Sequence, residues 1–154
     1  MNEKKILIFG KTGQLGWELQ RTLAPLGRIH ALGPDELDLA DVDALARTIK
    51  EAAPGIIVNA SAFTAVDQAE QAEDLAMRVN AFAPQVMAEF ARQLKAPLIH
   101  YSTDYVFDGS KTSPYTEGDP TNPLNVYGQS KLKGEQAIGQ VGGAYVVLRT
   151  SWVY

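Results

Sequence analysis

Tyr127 and Lys131 stand four residues apart in Asn125-Val126-Tyr127-Gly128-Gln129-Ser130-Lys131, at the head of a segment that reads as a helix. At that spacing a phenol and an ammonium share one helix face. A lysine held near a tyrosine stabilises the phenolate and lowers a pKa that otherwise sits near ~10, which makes Tyr127 a candidate general acid at neutral pH. A tyrosine and a lysine on a half-exposed helix are also ordinary surface residues. The pair carries weight only if other parts of the chain bring a reaction to it.

Two other stretches do so. Gly10-Lys11-Thr12-Gly13-Gln14-Leu15-Gly16 follows directly on the apolar run Ile6-Leu7-Ile8-Phe9. After a strand and before a helix, three such glycines give a tight turn, close backbone approach to a pyrophosphate, and close packing of helix on strand. The phosphates then lie on the helix N-terminus. The spacing is G-x-x-G-x-x-G, one residue longer between the first two glycines than the usual dinucleotide fingerprint. Gly10-Lys11-Thr12 also imitates the end of a P-loop, but that motif needs a glycine where Lys5 stands. The second stretch, Ser102-Thr103-Asp104-Tyr105, falls at the end of another apolar run, Pro97 to Tyr101. Thr103 there can donate a hydrogen bond to a carbonyl oxygen as charge develops on it. A Ser/Thr/Asp cluster after a strand can also simply turn the chain.

The elements that must position these residues alternate along the sequence. Short unalternated apolar runs at Ile6–Phe9, Ile29–Leu32, Ile56–Val58, Pro97–Tyr101 and Tyr145–Leu148 suit strands buried on both faces of a parallel sheet. Between them, helical spacing predicts a helix through Leu15, Leu19, Leu23 and Leu26, closed by Pro25 and Gly27. A second runs from an Asp41 or Asp43 cap to Ala53, with Leu45, Ala46 and Ile49 inward. A third runs from Asp74 to Leu94 through Leu75, Val79, Phe82, Val86 and Phe90, with a kink or fresh start at Pro84. A fourth runs from Val126 to about Ile138. Residues 64–73 read as acidic and irregular, and residues 107–123 as a loop long enough for a binding or lid role. The fold class predicted is α/β, a Rossmann-type doubly wound parallel sheet in three αβα layers.

In such a sheet ligands bind outside the carboxyl ends of the strands, which is where Gly10, Thr103 and Asp104 fall. Asn59-Ala60-Ser61-Ala62, at the end of the third strand, has side chains small enough for a flat cofactor to lie against. After the second strand, where an acid would bind the ribose 2′-hydroxyl of NAD, Gly33-Pro34 stands instead, with Asp35 and Asp38 just beyond. Lys11 could meet a 2′-phosphate, so the reading leans to NADP(H), with NADH use open. His30 and His100 read as sheet residues with satisfied ring nitrogens.

Composition narrows the classes further. At 154 residues and 45% hydrophobic the chain is sized for one domain. A net charge of −4 without a Lys/Arg run argues against a nucleic-acid or membrane-surface partner. No cysteine and two histidines leave no thiolate nucleophile and no evident metal site. Met1 to Lys5 has the charge of a signal peptide but too short an apolar run after it, and no run is of transmembrane length, so a cytoplasmic protein is expected.

Gly10 to Gly16, Ser102 to Gly109, Tyr127-Gly128-Gln129-Ser130-Lys131 and Arg149-Thr150-Ser151-Trp152-Val153-Tyr154 together resemble the extended short-chain dehydrogenase/reductases. More narrowly, they resemble the dTDP-4-dehydrorhamnose reductase family. The resemblance implies NAD(P)H-dependent reduction of the 4-keto group of dTDP-4-dehydro-L-rhamnose to dTDP-L-rhamnose, a cell-surface polysaccharide precursor. It implies a catalytic set of Thr103, Tyr127 and Lys131, with Lys131 also on the nicotinamide ribose. Cofactor contacts would come from Gly10, Lys11, Thr12, Gly13, Gln14, Leu15 and Gly16, from Asp38 and Leu39, from Ala60, Ser61 and Ala62, and from Tyr127 and Lys131. Asp104, Trp152 and Thr103 would face substrate. It also implies that residues 1–154 are the NAD(P)-binding half. The sugar-nucleotide-binding half, with any Mg²⁺-dependent homodimer contact, would be missing, and the piece would turn over poorly alone. Related dehydratases place a glutamate where Tyr105 stands, which favours reduction over dehydration; an epimerase using the same Tyr and Lys is harder to exclude. A non-catalytic NADP-binding subunit, like the regulatory subunit of methionine adenosyltransferase, is the reading from another class.

Overall fold

The computed structural model describes residues 4–153. Tyr154, which ends the last motif, and Met1 to Glu3, which open the N-terminal segment, lie outside the described residues. The apolar runs become strands β1 (Lys5–Phe9), β2 (Arg28–Leu32), β3 (Ile56–Asn59), β4 (Leu98–Thr103) and β5 (Tyr145–Thr150). They form one parallel sheet in the order β2-β1-β3-β4-β5. β1 is interior, and Ile6, Leu7, Ile8 and Phe9 are at most 1% exposed, a burial that contributes roughly 1.5–3 kcal/mol per side chain.

Alternate β1 residues feed two cores. Ile6 and Ile8, with Val58, meet Leu19 and Leu23 of α1 (Gln14–Leu23) on one face. Leu7 and Phe9 meet Leu45 and Ile49 of α2 (Val42–Ala52) on the other. That second core also takes in Met87 of α5 (Ala83–Leu94) and Ile138 of α6 (Val126–Val141). Helices on both faces of a parallel sheet give the three layers expected. The chain passes from β1 to β2 on one side and to β3 on the other, so the crevice between the ends of β1 and β3 is the topological switch point.

Several local expectations change. Leu26 is exposed, because α1 ends at Leu23 and a 3₁₀ turn (Ala24–Leu26) rotates it outward. Residues 64–73 are not wholly irregular, since α3 (Val66–Ala69) forms a single turn there. The third helix divides into α4 (Glu73–Met77), a π-helical turn (Arg78–Phe82) and α5, in which Pro84 is the second residue, directly after the π turn. The widened π turn shifts the buried face, so Leu75 and Phe82 are exposed while Ala76, Asn80, Ala81 and Ala83 are buried. Asp41, not Asp43, caps α2 by accepting from Ala44 N. β4 and β5 run two residues further than expected, pairing Ser102 with Arg149 and Thr103 with Thr150. No helix among the described residues is long and apolar enough to cross a membrane.

Candidate functional site

The glycine turn is held from both sides. Gly10 N and Lys11 N donate to Leu32 O at the end of β2, and Gln20 of α1 donates to Lys11 O. Gly10 has φ +95°, and a Cβ there would lie 2.8 Å from the Ala60 carbonyl carbon, so only glycine lets β1 turn against the end of β3. Gly16 tucks against the Gly10 carbonyl, bringing α1 down onto the turn. α1 starts at an N-cap Gly13 with no side-chain cap and no acidic residue in its first turn. Its leading N–H groups are therefore open to an anion.

Two adjoining clefts lie over these strand ends and share Gly13, Ala60, Ser61, Ala62 and Thr64. The first, about 610 Å³, runs from the glycine turn over Leu32, Gly33, Asp38 and Leu39. The second, about 590 Å³, runs from Gln14 and Leu15 to Thr103, Asp104, Tyr127, Lys131 and Trp152. The sites expected from sequence thus converge on one continuous depression, with three exceptions. Lys11 and Gly16 lie beneath or beside the first cleft rather than in its wall. Asp35 is solvent-exposed and borders neither cleft.

α6 brings Tyr127 and Lys131 to the second cleft through an unusual buried face. Its N-cap Asn125 accepts from Gly128 N at 2.7 Å, and Glu70 accepts from Val126 N at 2.8 Å. Gly128 packs directly on the Tyr105 carbonyl, where any side chain would collide, and this close approach sets Tyr127 beside the end of β4. Tyr105 and Tyr127 meet edge to face at 5.5 Å. Ser130, Lys131 and Gly134 are buried below them. Asn80 of the π turn donates to Ser130 Oγ and clasps the Phe63 backbone through both amide atoms, so the floor of the cleft is tied to α6.

Electrostatics departs from the sequence expectation. Lys131 is 2% exposed and donates to Tyr101 O at 2.7 Å. Burial pulls its pKa from 10.5 down to about 8, against a smaller opposing pull from Glu135. Lys131 does not acidify Tyr127. The phenol is pushed above its ordinary value of 10, first by burial and then by Asp104 and Tyr105, while the Thr103 hydroxyl acts the other way. In this geometry Tyr127 holds its proton firmly.

The histidines differ as well. His30 faces solvent on edge strand β2. His100 is fully buried, and its Nδ1 accepts from the Asn59 amide at 3.0 Å, which places the ring proton on Nε2. Among the described residues, His100 Nε2 and Ser102 Oγ have no hydrogen-bond partner. Burial, then the Lys131 charge, holds His100 well below its usual pKa. Asn59 Oδ1 in turn accepts from Ser61 N and Ser61 Oγ, so this ring orients the end of β3.

Sequence reading passed over two residues here. Asn80 sits mid-helix among apolar residues and its type alone was a signal. Glu36 pairs with Lys11 at 2.6 Å, so Lys11 is not a free cation. It lies about 20 residues past the last glycine of the turn, where dinucleotide-binding chains place an acid.

The fold and the glycine turn define a doubly wound α/β domain of the Rossmann class. The chain belongs to the family described as the RmlD substrate binding domain, whose model matches residues 4–154. It is similar to a dTDP-4-dehydrorhamnose reductase of Burkholderia thailandensis, 50% identical over 97% of this chain and 50% of that relative. Among solved structures it is similar to a dTDP-4-dehydrorhamnose reductase of Clostridium acetobutylicum, with a TM-score of 0.93 and 39% identity over 97% of this chain and 54% of that one. The enzyme of the same description from Bacillus anthracis, in complex with NADP, also gives a TM-score of 0.93, at 37% identity over 100% of this chain and 55% of that one. The chain spans about half the length of the curated relatives it matches.

Proposed function

We propose that residues 1–154 are the cofactor-carrying half of a cytoplasmic NAD(P)H-dependent reductase that converts dTDP-4-dehydro-L-rhamnose to dTDP-L-rhamnose. The observation that carries this reading is the second cleft, which places Tyr127, Thr103 and Lys131 in one wall with Gly13, Gln14 and Leu15 in another. The Bacillus anthracis structure, which holds NADP, supports the choice of cofactor. The uncapped α1 start and the Gly10 approach to Ala60 fit a pyrophosphate, and the Ala60-Ser61-Ala62 wall fits a flat ring. When bound, the nicotinamide supplies a hydride.

The chain's own groups supply the rest. Thr103 and Tyr127 border the place where a sugar C4 oxygen would lie, Thr103 to donate a hydrogen bond and Tyr127 to donate the proton that turns the oxyanion into a hydroxyl. A phenol whose pKa is raised is fully protonated before reaction, as a proton donor must be. Lys131, anchored on Tyr101 O, keeps two further N–H donors for ribose hydroxyls and sets positive charge near the developing oxyanion. Tyr105 stands where a dehydratase would need a carboxylic acid, which supports reduction. Exposed Asp104 and Trp152 are the substrate contacts on this half. β5 exposes Tyr145, Val146 and Leu148, apolar surface that supports a further sugar-nucleotide-binding part in the longer protein.

The test is NADPH oxidation on adding dTDP-4-dehydro-rhamnose to a version of the protein with the full length of its relatives. Tyr127→Phe should lower kcat by roughly 10²–10⁴-fold with cofactor affinity little changed. Turnover left intact in Tyr127→Phe shows that another group donates the proton.

A further inference from the structure

The end of β2 carries a device that rests on the cofactor reading above and refines it. Residues 33–36 reverse direction, with Glu36 N and Leu37 N both donating to Gly33 O. The reversal folds the Glu36 side chain back over the strand end, where its Oε2 accepts from Gly33 N at 2.8 Å. The same oxygen is 2.6 Å from Lys11 Nζ, reaching across from the glycine turn. Gly33 leaves room for the crossing: a Cβ there would lie 3.3 Å from Lys11 Cγ and from Thr12 Cγ2, so one of these side chains would have to give by a few tenths of an ångström. Gly33 and Thr12 also wall the first cleft, so the ion pair sits at its rim, with side chains 34% and 41% exposed.

In Rossmann domains this strand end meets the adenosine ribose. An acid there accepts from the 2′-hydroxyl of NAD, and a cation there accommodates the 2′-phosphate of NADP. This chain has both, bonded to each other: the carboxylate arrives from beyond the strand rather than from its last residue, and the ammonium arrives from the turn. We propose that Glu36 and Lys11 are a cofactor-discriminating pair in which Glu36 accepts from the ribose 2′-hydroxyl of NADH, while a 2′-phosphate binds by taking Lys11 from Glu36. In the pair the charges cancel, so a dianionic 2′-phosphate meets nearly neutral ground and must compete with a carboxylate for Lys11. A 2′-hydroxyl meets an acceptor already oriented by Gly33 N. The pair therefore levels the two affinities and suits the chain to use either cofactor. Lys11 holds the Glu36 carboxyl below its ordinary pKa, with Gly33 N adding to this, so the acceptor stays ionised at neutral pH.

Two substitutions pull the affinities in opposite directions. Glu36→Gln keeps a side-chain oxygen for Gly33 N but frees Lys11; it should tighten NADPH by about 3–10-fold and weaken NADH by about 3-fold, as expected for partly exposed charge-assisted contacts. Lys11→Met should weaken NADPH by about 10-fold and leave NADH within about 2-fold. The experiment is calorimetric titration of this 154-residue chain with NADPH and NADH, and with 2′,5′-ADP and 5′-AMP, which carry the discriminating group without a nicotinamide. The 2′,5′-ADP to 5′-AMP ratio should follow the NADPH to NADH ratio in each variant, and raised salt should erode the Glu36→Gln gain. If both variants move NADPH and NADH alike, the pair merely braces the glycine turn and the proposal is wrong. If the unsubstituted chain binds neither cofactor, the cofactor reading itself fails, a different and recognisable result.

Discussion

Lys131→Met should alter the alkaline pH dependence of folding. In the folded chain burial lowers the Lys131 pKa from 10.5 to about 8. Below pH 8 the folded and unfolded chains both carry the proton, and the folded one bears the cost of a buried charge. Between 8 and 10.5 the unfolded chain binds more protons than the folded one, so stability rises with pH across that window. Linkage with these two values gives a gain of about 1.3 kcal/mol from pH 7 to pH 9 and about 2.5 kcal/mol by pH 10. Methionine fills nearly the same volume and does not titrate, so the gain appears as a difference between the two proteins, with tyrosine ionisation common to both cancelling. Urea unfolding at pH 7, 8, 9 and 10 measures it. Far-UV circular dichroism is the probe of choice, because Trp17 and Trp152 are 70% and 76% exposed and report weakly on burial. At pH 7 the variant should be at least as stable as the parent, since it removes a buried charge. A stability difference that stays flat from pH 7 to pH 10 refutes burial of the ammonium as the source of the shift.

His100 predicts an acid limb of its own. Its folded pKa is depressed, so stability present above pH 6.5 is lost as pH falls, by up to ~1.4 kcal/mol per unit, and urea midpoints between pH 7 and 5 should lose this slope in His100→Asn. Gly134→Ala should destabilise by about 1–3 kcal/mol although alanine is the better helix former by ~1 kcal/mol, because its Cβ would fall on the Asn80 carbonyl oxygen. A thermal midpoint equal to or above that of the parent would show that α6 and the π turn are not in close contact.

Much of the fold was legible because its signals are local. An unalternated run such as Ile6–Phe9 followed by Gly10 needs no distant information to read as a buried strand entering a tight turn. The cap of α2 was legible only as a choice between Asp41 and Asp43, which the structure settles for Asp41, and the Asn125 cap of α6 came from the structure alone. Periodicity failed where the buried face is not apolar. α6 buries Gly128, Ser130, Lys131 and Gly134, chosen for close backbone approach and for a cation, and the π turn before α5 moved Leu75 and Phe82 out of the core.

The sequence by itself determined the order of strands and helices, the glycine turn, and the presence of Thr103, Tyr127 and Lys131 at strand and helix ends. Only the tertiary structure decided what the ionisable groups of the site do to one another. Lys131 bonds Tyr101 O instead of acidifying Tyr127, and Lys11 is neutralised by Glu36. His100 buries a ring nitrogen that has no partner among the described residues. The physical reason is that strand and helix patterns follow from neighbours along the chain, whereas burial and charge pairing depend on residues far apart in sequence. Lys131 and Tyr101 are 30 positions apart and Asn59 and His100 are 41, and their meeting is set by sheet order and helix packing.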